Sequence, residues 1–283
     1  MTSPAEVGEL QLQATDGHAW TLLHRIPERP RASLLWLPAL GVAARHYLPF
    51  AEALQTLGIA VFLHEARGHG SSSWRASRSC NWGYRELLEL DLPVSLQAMQ
   101  RALEVPHRIV GGHSLGGQLA ACLAALAPSQ LNALWLVASG TPDWRRFPAP
   151  RGLLLPLAYR FMGWLARRNG TLPGRRIGFG GNEARGLIND WSRVGLSGRY
   201  AGQGMRTDLE QALSQLSLPV NSVVLTQDWF APTTSLAGLT DKFAVTTEPA
   251  TLLDSDTLGA KADHFAWMQR PQRVAEALAA RLR

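Results

Sequence analysis

Five short, almost uninterrupted apolar runs recur along the chain. They cover residues 33–37, 60–63, 108–111, 133–138 and 222–226. A strand that is apolar on both faces is buried on both faces, as in a parallel sheet covered by helices. Helical patterns lie between and after the runs, at residues 48–57, 86–103, 115–127 and 271–282. This alternation predicts an α/β fold with a mostly parallel, doubly wound sheet and right-handed crossovers.

A β-hairpin is expected before the first of these runs. Residues 9–14 and 20–25 are strand-like and are joined through Asp16-Gly17, a pair typical of tight hairpin turns. These two strands and the five runs make seven predicted strands.

The strand–helix alternation stops between residues 140 and 204. There, residues 153–168 have the pattern of an amphipathic helix, and a second helical piece covers 183–194. The sheet pattern resumes at Leu218. We therefore predict a core made of residues 1–139 and 205–283, with a helical cap, or lid, inserted at 140–204 over the carboxyl edge of the sheet.

The net charge of +6 is concentrated in one part of the chain. Between Trp144 and Arg206 there are twelve arginines and only two acidic residues, Glu183 and Asp190. Such a segment is either a solvated face, or one that steers anionic substrates or makes weak contact with an anionic membrane surface. No nucleic-acid recognition motif accompanies the arginines, so nucleic acid is not an expected partner.

Cysteine usage and the N-terminus bear on the compartment. The two cysteines, Cys80 and Cys122, form no disulfide framework. The N-terminus lacks the basic-then-apolar pattern of a signal peptide, and no apolar stretch approaches the ~18 residues of a spanning helix. We therefore expect a cytoplasmic protein without a membrane-spanning helix.

The residues Gly112-His113-Ser114-Leu115-Gly116 lie between a predicted strand and a predicted helix. A G-x-S-x-G sequence in this strand–turn–helix setting predicts a nucleophile elbow, with Ser114 exposed on a sharp turn at the helix N-terminus. The alternative is a glycine-rich turn whose serine only caps the helix.

A serine nucleophile needs a base and an acid. His264 is the predicted base because it lies between the last strand and the last helix, where a loop returns to the carboxyl edge of the sheet. Asp228, just after the 222–226 run, is the predicted acid, which gives the chain order Ser, Asp, His. Asp143 is the rival acid, and the weaker alternatives are Asp254, Asp256 and Asp263.

An oxyanion hole needs two convergent backbone N–H groups. One is predicted at Leu115, directly after the nucleophile. The other should come from the 38–41 loop, where Pro38 has no N–H, so the donor is Ala39 or, as the less favoured choice, Leu40.

Substrate contacts are predicted from the same loops and from the cap. Apolar cap residues favour an apolar acyl pocket, the alternative being ordinary packing against the core. No cofactor or metal is expected. The candidate substrate-binding residues are Leu40, His113, Trp144, Trp164 and Trp229.

Together these blocks resemble the α/β-hydrolase superfamily over nearly the whole chain, and the resemblance implies a mostly parallel, doubly wound sheet of about eight strands. The 38–41 loop, Arg67-Gly68-His69-Gly70-Ser71, the Ser114 elbow and the Asp228/His264 pair carry the resemblance. Within the superfamily, Gly174-Arg175-Arg176, Asp190-Trp191 and residues 228–232 are similar to a bacterial branch of predicted hydrolases related to serine aminopeptidase and lysophospholipase-like proteins. The chain departs from the superfamily pattern in Leu37-Pro38, which stands where His-Gly or Asn-Gly is usual, in Glu65, which replaces an aspartate, and in Asp263, which replaces the glycine before the histidine.

The predicted function is a serine hydrolase that cleaves a small carboxylic ester or thioester through an acyl-enzyme. A peptidase or amidase and an acyltransferase are alternatives on the same three residues, because fold resemblance does not select the substrate. A non-catalytic binding protein is the alternative from a different class. The oligomeric state is left open.

Overall fold

The computed structural model describes residues 7–282, and ten strands lie within that range. In chain order they are Gly8–Gln13 (β1), Ala19–Arg25 (β2), Ala32–Leu37 (β3), Ile59–Leu63 (β4), His107–His113 (β5), Ala133–Val137 (β6), Thr171–Pro173 (β7), Asn182–Ala184 (β8), Val220–Leu225 (β9) and Thr251–Leu253 (β10). Eight of them form one sheet in the order β1-β2-β4-β3-β5-β6-β9-β10, and β7 and β8 pair separately.

From β4 across to β10 the neighbouring strands of the main sheet are parallel, whereas the β1–β2 and β2–β4 pairs are antiparallel. Every residue of β3, β4, β6 and β9 is buried, because helices cover both faces of the sheet. The predicted mostly parallel, doubly wound sheet of about eight strands is therefore confirmed. The edge strand β10 has no counterpart among the predicted apolar runs.

Ten α-helices lie in the described residues. They are Leu48–Thr56 (α1), Leu92–Ala102 (α2), Leu115–Leu126 (α3), Arg151–Asn169 (α4), Gly174–Ile177 (α5), Arg185–Ser197 (α6), Leu209–Ser214 (α7), Thr233–Thr240 (α8), Ser255–Leu258 (α9) and Gln272–Ala279 (α10). A π-helical turn, Glu86–Asp91, precedes α2, so the helix predicted over 86–103 has two parts. The side chains of β3 alternate between two hydrophobic cores, one on each face of the sheet.

Between β6 and α7 the chain leaves the sheet and forms what we call the helical segment, residues 140–204. Helices α4 and α6 pack against each other and enclose a small core that includes Tyr159, Met162 and Ile188. The β7–β8 ribbon was not predicted, and residues 183–184 belong to it rather than to a helix. Side chains of the helical segment share a cavity with the carboxyl edge of the main sheet.

Candidate active site

Ser114 occupies a strained turn between β5 and α3, with φ 55° and ψ −121°. Glycine is required two residues before and two residues after Ser114. A Cβ on Gly112 would lie 2.3 Å from the carbonyl carbon of Gly116, and one on Gly116 would lie 2.1 Å from the carbonyl oxygen of Leu37. The Ser114 side chain makes no capping hydrogen bond to α3, so the helix-cap alternative does not describe it. The turn instead presents the hydroxyl to the cavity.

The structure brings Ser114, His264 and Asp228 into one hydrogen-bonded line. His264 Nε2 lies 2.9 Å from Ser114 Oγ, and His264 Nδ1 lies 2.7 Å from Asp228 Oδ2. The other oxygen of the carboxylate, Oδ1, accepts the backbone N–H groups of Phe230 at 2.8 Å and Ala231 at 3.2 Å. These bonds orient the carboxylate, so that Oδ2 faces the imidazole. In this geometry the imidazole can remove a proton from the hydroxyl while the carboxylate holds its tautomer.

Three of the alternative carboxylates have other partners, and the fourth, Asp256, is exposed on α9. Asp143 binds the backbone and guanidinium of Arg145, and Asp254 caps α9 by accepting the Thr257 N–H. Asp263 accepts the N–H groups of Phe265 and Ala266 and pairs with Lys261. Burial works to raise the pKa of Asp263, but these partners outweigh it, and the pKa lies below its usual value. Asp263 therefore turns away from the neighbouring imidazole.

The 38–41 loop requires a correction to the predicted oxyanion donors. Ala39, Leu40 and Leu115 all line the cavity. The Ala39 N–H already donates to the Tyr47 hydroxyl at 2.9 Å, so it is not free to bind an oxyanion. Across residues 7–282, the N–H groups of Leu40 and Leu115 have no hydrogen-bond partner. Leu40 thus replaces Ala39 as the candidate loop donor.

Tyr47 and His113 form a buried connection behind that loop. The Tyr47 hydroxyl accepts the Ala39 N–H, and its second hydrogen bond, of 2.9 Å, is with His113 Nδ1. The His113 ring is fully buried, with its centroid 4.8 Å from that of His264. Burial and the nearby His264 hold the pKa of His113 well below its ordinary value. His113 therefore lies behind the site as a neutral ring, and the predicted substrate contact is corrected.

The hydroxyl of Ser114 opens into a cavity of about 390 Å³, a volume within the usual range for small-molecule sites. Leu40 and Trp229 line it, as predicted, but Trp144 and Trp164 do not. Trp144 packs against the core of the helical segment, and Trp164 points to solvent beside Phe161. Aromatic lining residues that sequence reasoning missed are Tyr159, Phe179, Trp191, Phe230 and Phe265.

The lining is also uncharged. In the part of the chain that the structure describes, the cavity wall includes no Asp, Glu, Lys or Arg side chain. Its polar side chains include Gln118, Ser139, Thr141 and His264. Such a wall favours a neutral, apolar ligand, since a buried charge without a partner is costly.

Residues 7–282 contain neither a group of candidate metal ligands nor a candidate membrane-spanning helix. No three side chains of His, Cys, Asp or Glu come together as metal ligands would. No helix in this range has the length and apolar character needed to cross a bilayer.

Comparisons with solved structures agree with this fold. A hydrolase from Pseudomonas aeruginosa is 19% identical and has a TM-score of 0.63, over 97% of this chain and 98% of that one. An α/β hydrolase from a Penicillium species is 16% identical, with a TM-score of 0.63 over 97% and 99%. Est1E of Butyrivibrio proteoclasticus, bound to ferulic acid, is 16% identical, with a TM-score of 0.66 over 96% and 97%.

A family model gives the assignment. No curated protein matches by sequence. The model described as serine aminopeptidase, S33, matches residues 28–180, which is more than half of the chain and includes the Ser114 elbow and most of the helical segment. The chain therefore belongs to the serine aminopeptidase S33 family and is an α/β hydrolase.

Proposed function

We propose that this protein is a serine hydrolase that cleaves a carboxylic ester or thioester through an acyl-enzyme. The observation that carries the proposal is the line Ser114–His264–Asp228, with distances of 2.9 and 2.7 Å, at the wall of an apolar cavity. His264 removes the Ser114 proton as Oγ attacks the acyl carbon, and then gives that proton to the leaving alcohol or thiol. Water, activated by His264, releases the acid and regenerates Ser114.

The negative charge that develops on the acyl oxygen needs preorganised donors. We assign this role to the N–H groups of Leu115 and Leu40, which line the cavity together with Ser114 and have no hydrogen-bond partner within residues 7–282. The Leu115 N–H also belongs to the first turn of α3, whose dipole favours negative charge at this end.

The acyl part of the substrate is proposed to be neutral and apolar. Half of the cavity wall comes from the helical segment, including Leu155, Met162 and Trp191, so we infer that residues 140–204 act as a cap that selects the acyl group. An aminopeptidase substrate would bring an ammonium group into a wall without a carboxylate. This lack of a partner favours an ester over a peptide with a free N-terminus.

Labelling with a fluorophosphonate probe tests the nucleophile. The folded wild type should be labelled, and Ser114→Ala should abolish the label. Ser139→Ala is the matched control, because it removes another hydroxyl from the same cavity wall; its label should stay on Ser114. A wild type that is not labelled at Ser114 would contradict the proposal.

Substrate preference is tested with aryl esters of increasing acyl length against aminoacyl anilides. We expect turnover of the esters, with kcat/KM rising as the neutral acyl chain fills the cavity. Faster turnover of the anilides would replace the ester assignment with a peptidase or amidase.

A further inference from the structure

The large apolar side chains that are exposed on this protein are concentrated in one place. Nine such side chains occur within residues 7–282, and eight of them lie on α4 or beside the cavity entrance. Five are on α4, at 50–70% exposure, namely Leu153, Leu154, Leu157, Phe161 and Trp164. The other three are Ile177, Trp229 and Phe265, which, like Phe161, also line the cavity.

Helix α4 is thus apolar on the face that it turns to solvent. Its five exposed apolar residues recur at intervals of one, three or four, which places them on one side of the helix. The opposite side packs against the protein through Tyr159, Met162 and Ala166. A helix on a protein surface normally presents polar residues to water, so this outer face lacks a partner.

The charged residues of α4 are all arginines. Arg160, Arg167 and Arg168 are exposed beside the apolar face, and Arg151 lies 5.3 Å from the Trp229 ring. The surrounding stretch, residues 144–206, has twelve arginines against two acidic residues. An apolar face flanked by arginines has the chemistry of a helix that lies in a bilayer interface.

We propose that this face of α4 docks on an anionic phospholipid bilayer. The Leu, Phe and Trp side chains enter the boundary between headgroups and acyl chains, and the arginines bind the phosphates. A second copy of the chain fits the face poorly, because a symmetric contact would bring two sets of these arginines together.

Docking would also bring the cavity entrance to the lipid. Phe161 of this face, together with Ile177, Trp229 and Phe265, is exposed and also lines the cavity. If the proposed ester hydrolysis is correct, an apolar substrate can pass from the bilayer to Ser114 without crossing water. This last step rests on the proposed function, whereas docking does not.

Vesicle flotation tests docking without using catalysis. Wild type is expected to float with vesicles of phosphatidylglycerol and phosphatidylcholine at low salt. The triple variant Leu153→Ser/Leu157→Ser/Trp164→Ser, which changes exposed side chains outside the cavity wall, should bind at least about tenfold more weakly. Its turnover of a water-soluble ester should equal that of wild type. Leu252→Ser is the matched control, since Leu252 is equally exposed on β10, and it should bind as wild type does.

A charge series tests the arginines. Each arginine near an anionic surface changes partition by about fivefold, so Arg160→Gln/Arg168→Gln should bind roughly 25-fold more weakly. The control Arg29→Gln/Arg101→Gln removes the same charge from exposed positions outside the helical segment and should retain most of the binding. Binding should also weaken as salt rises, because salt screens these attractions.

Three results would overturn the proposal. The first is a wild type that stays in solution with anionic vesicles at low salt. The second is a triple serine variant that binds as tightly as wild type, since adsorption would then be purely electrostatic. The third is a wild type that ignores vesicles but forms dimers that the triple variant disrupts, which would make the face an interface between copies.

Discussion

Removing the Tyr47 hydroxyl should damage both stability and catalysis. In Tyr47→Phe, the Ala39 N–H and His113 Nδ1 each lose a partner at 2.9 Å and remain buried. An unsatisfied buried group costs about 1–3 kcal/mol, so we expect the free energy of unfolding to fall by roughly 3 kcal/mol. The loop carrying Leu40 also loses the hydrogen bond that holds it, which displaces the proposed oxyanion donor.

The expected loss of rate can be bounded. Deleting an oxyanion donor outright lowers kcat by about 100- to 1,000-fold. Here the Leu40 N–H remains but is less well placed, so kcat should fall by roughly 10- to 100-fold, with KM for a short ester changed by less than about twofold. Urea unfolding gives the stability, and steady-state ester hydrolysis separates kcat from KM.

Tyr84→Phe is the matched control. Tyr84 is as deeply buried as Tyr47, but within the described residues its hydroxyl has no hydrogen-bond partner. Its removal should therefore leave kcat unchanged and leave stability unchanged or slightly higher. If Tyr47→Phe loses stability while keeping the wild-type kcat, the hydroxyl does not position the oxyanion loop and the reasoning is refuted.

Three further predictions concern the acid, the elbow and a buried histidine. Asp228→Asn should lower kcat by about 1,000-fold or more with KM nearly unchanged, whereas Asp143→Asn should retain activity, as measured by ester hydrolysis. Gly116→Ala should fail to fold or lose activity, because its Cβ would lie 2.1 Å from the Leu37 carbonyl oxygen. Gly163→Ala is the control, since its Cβ would meet only the ends of side chains at 3.3 Å, and circular dichroism should show it folded. Burial lowers the pKa of His64 from 6.5 to about 4, so below pH 6.5 the unfolded chain binds a proton that the folded protein does not. The free energy of unfolding therefore keeps its full value above pH 6.5 and falls as the pH drops towards 4. Wild type should therefore lose about 2 kcal/mol more than His64→Asn between pH 7 and 5 in urea unfolding, and equal losses would contradict this.

The sheet was predictable because its central strands are buried on both faces and are therefore continuously apolar. β10 was missed for the converse reason. It has three residues, one of them exposed, and lies at the sheet edge, so burial imposes no apolar run on it. The β7–β8 ribbon is equally short and lies in a stretch rich in glycine and arginine.

Ser114 and Asp228 follow the ends of β5 and β9, and His264 lies in the loop between α9 and α10. Parallel strands bring their carboxyl ends to one edge of the sheet. Sequence order therefore sufficed to select Ser114, Asp228 and His264. The choice between the Ala39 and Leu40 N–H groups as the oxyanion donor did not follow from the order of residues along the chain. It depends on the Tyr47 hydroxyl, which belongs to a different turn and occupies the Ala39 N–H.

The tryptophans of the helical segment were misplaced because composition does not tell which side of a helix faces inward. Met162 and Trp164 are two residues apart on α4 and so point in different directions. Met162 is buried and lines the cavity, while Trp164 is 52% exposed.

The uncharged cavity wall has a consequence for product release. Hydrolysis of a neutral ester leaves a carboxylate, and no lysine or arginine in the described cavity wall can pair with it. Apart from His264 and the two proposed oxyanion donors, little in this wall can stabilise an anion, so we expect the ionised product of the proposed reaction to bind more weakly than the neutral substrate. Inhibition by the acid product should accordingly be weak at neutral pH and become stronger as the pH approaches that acid's own pKa.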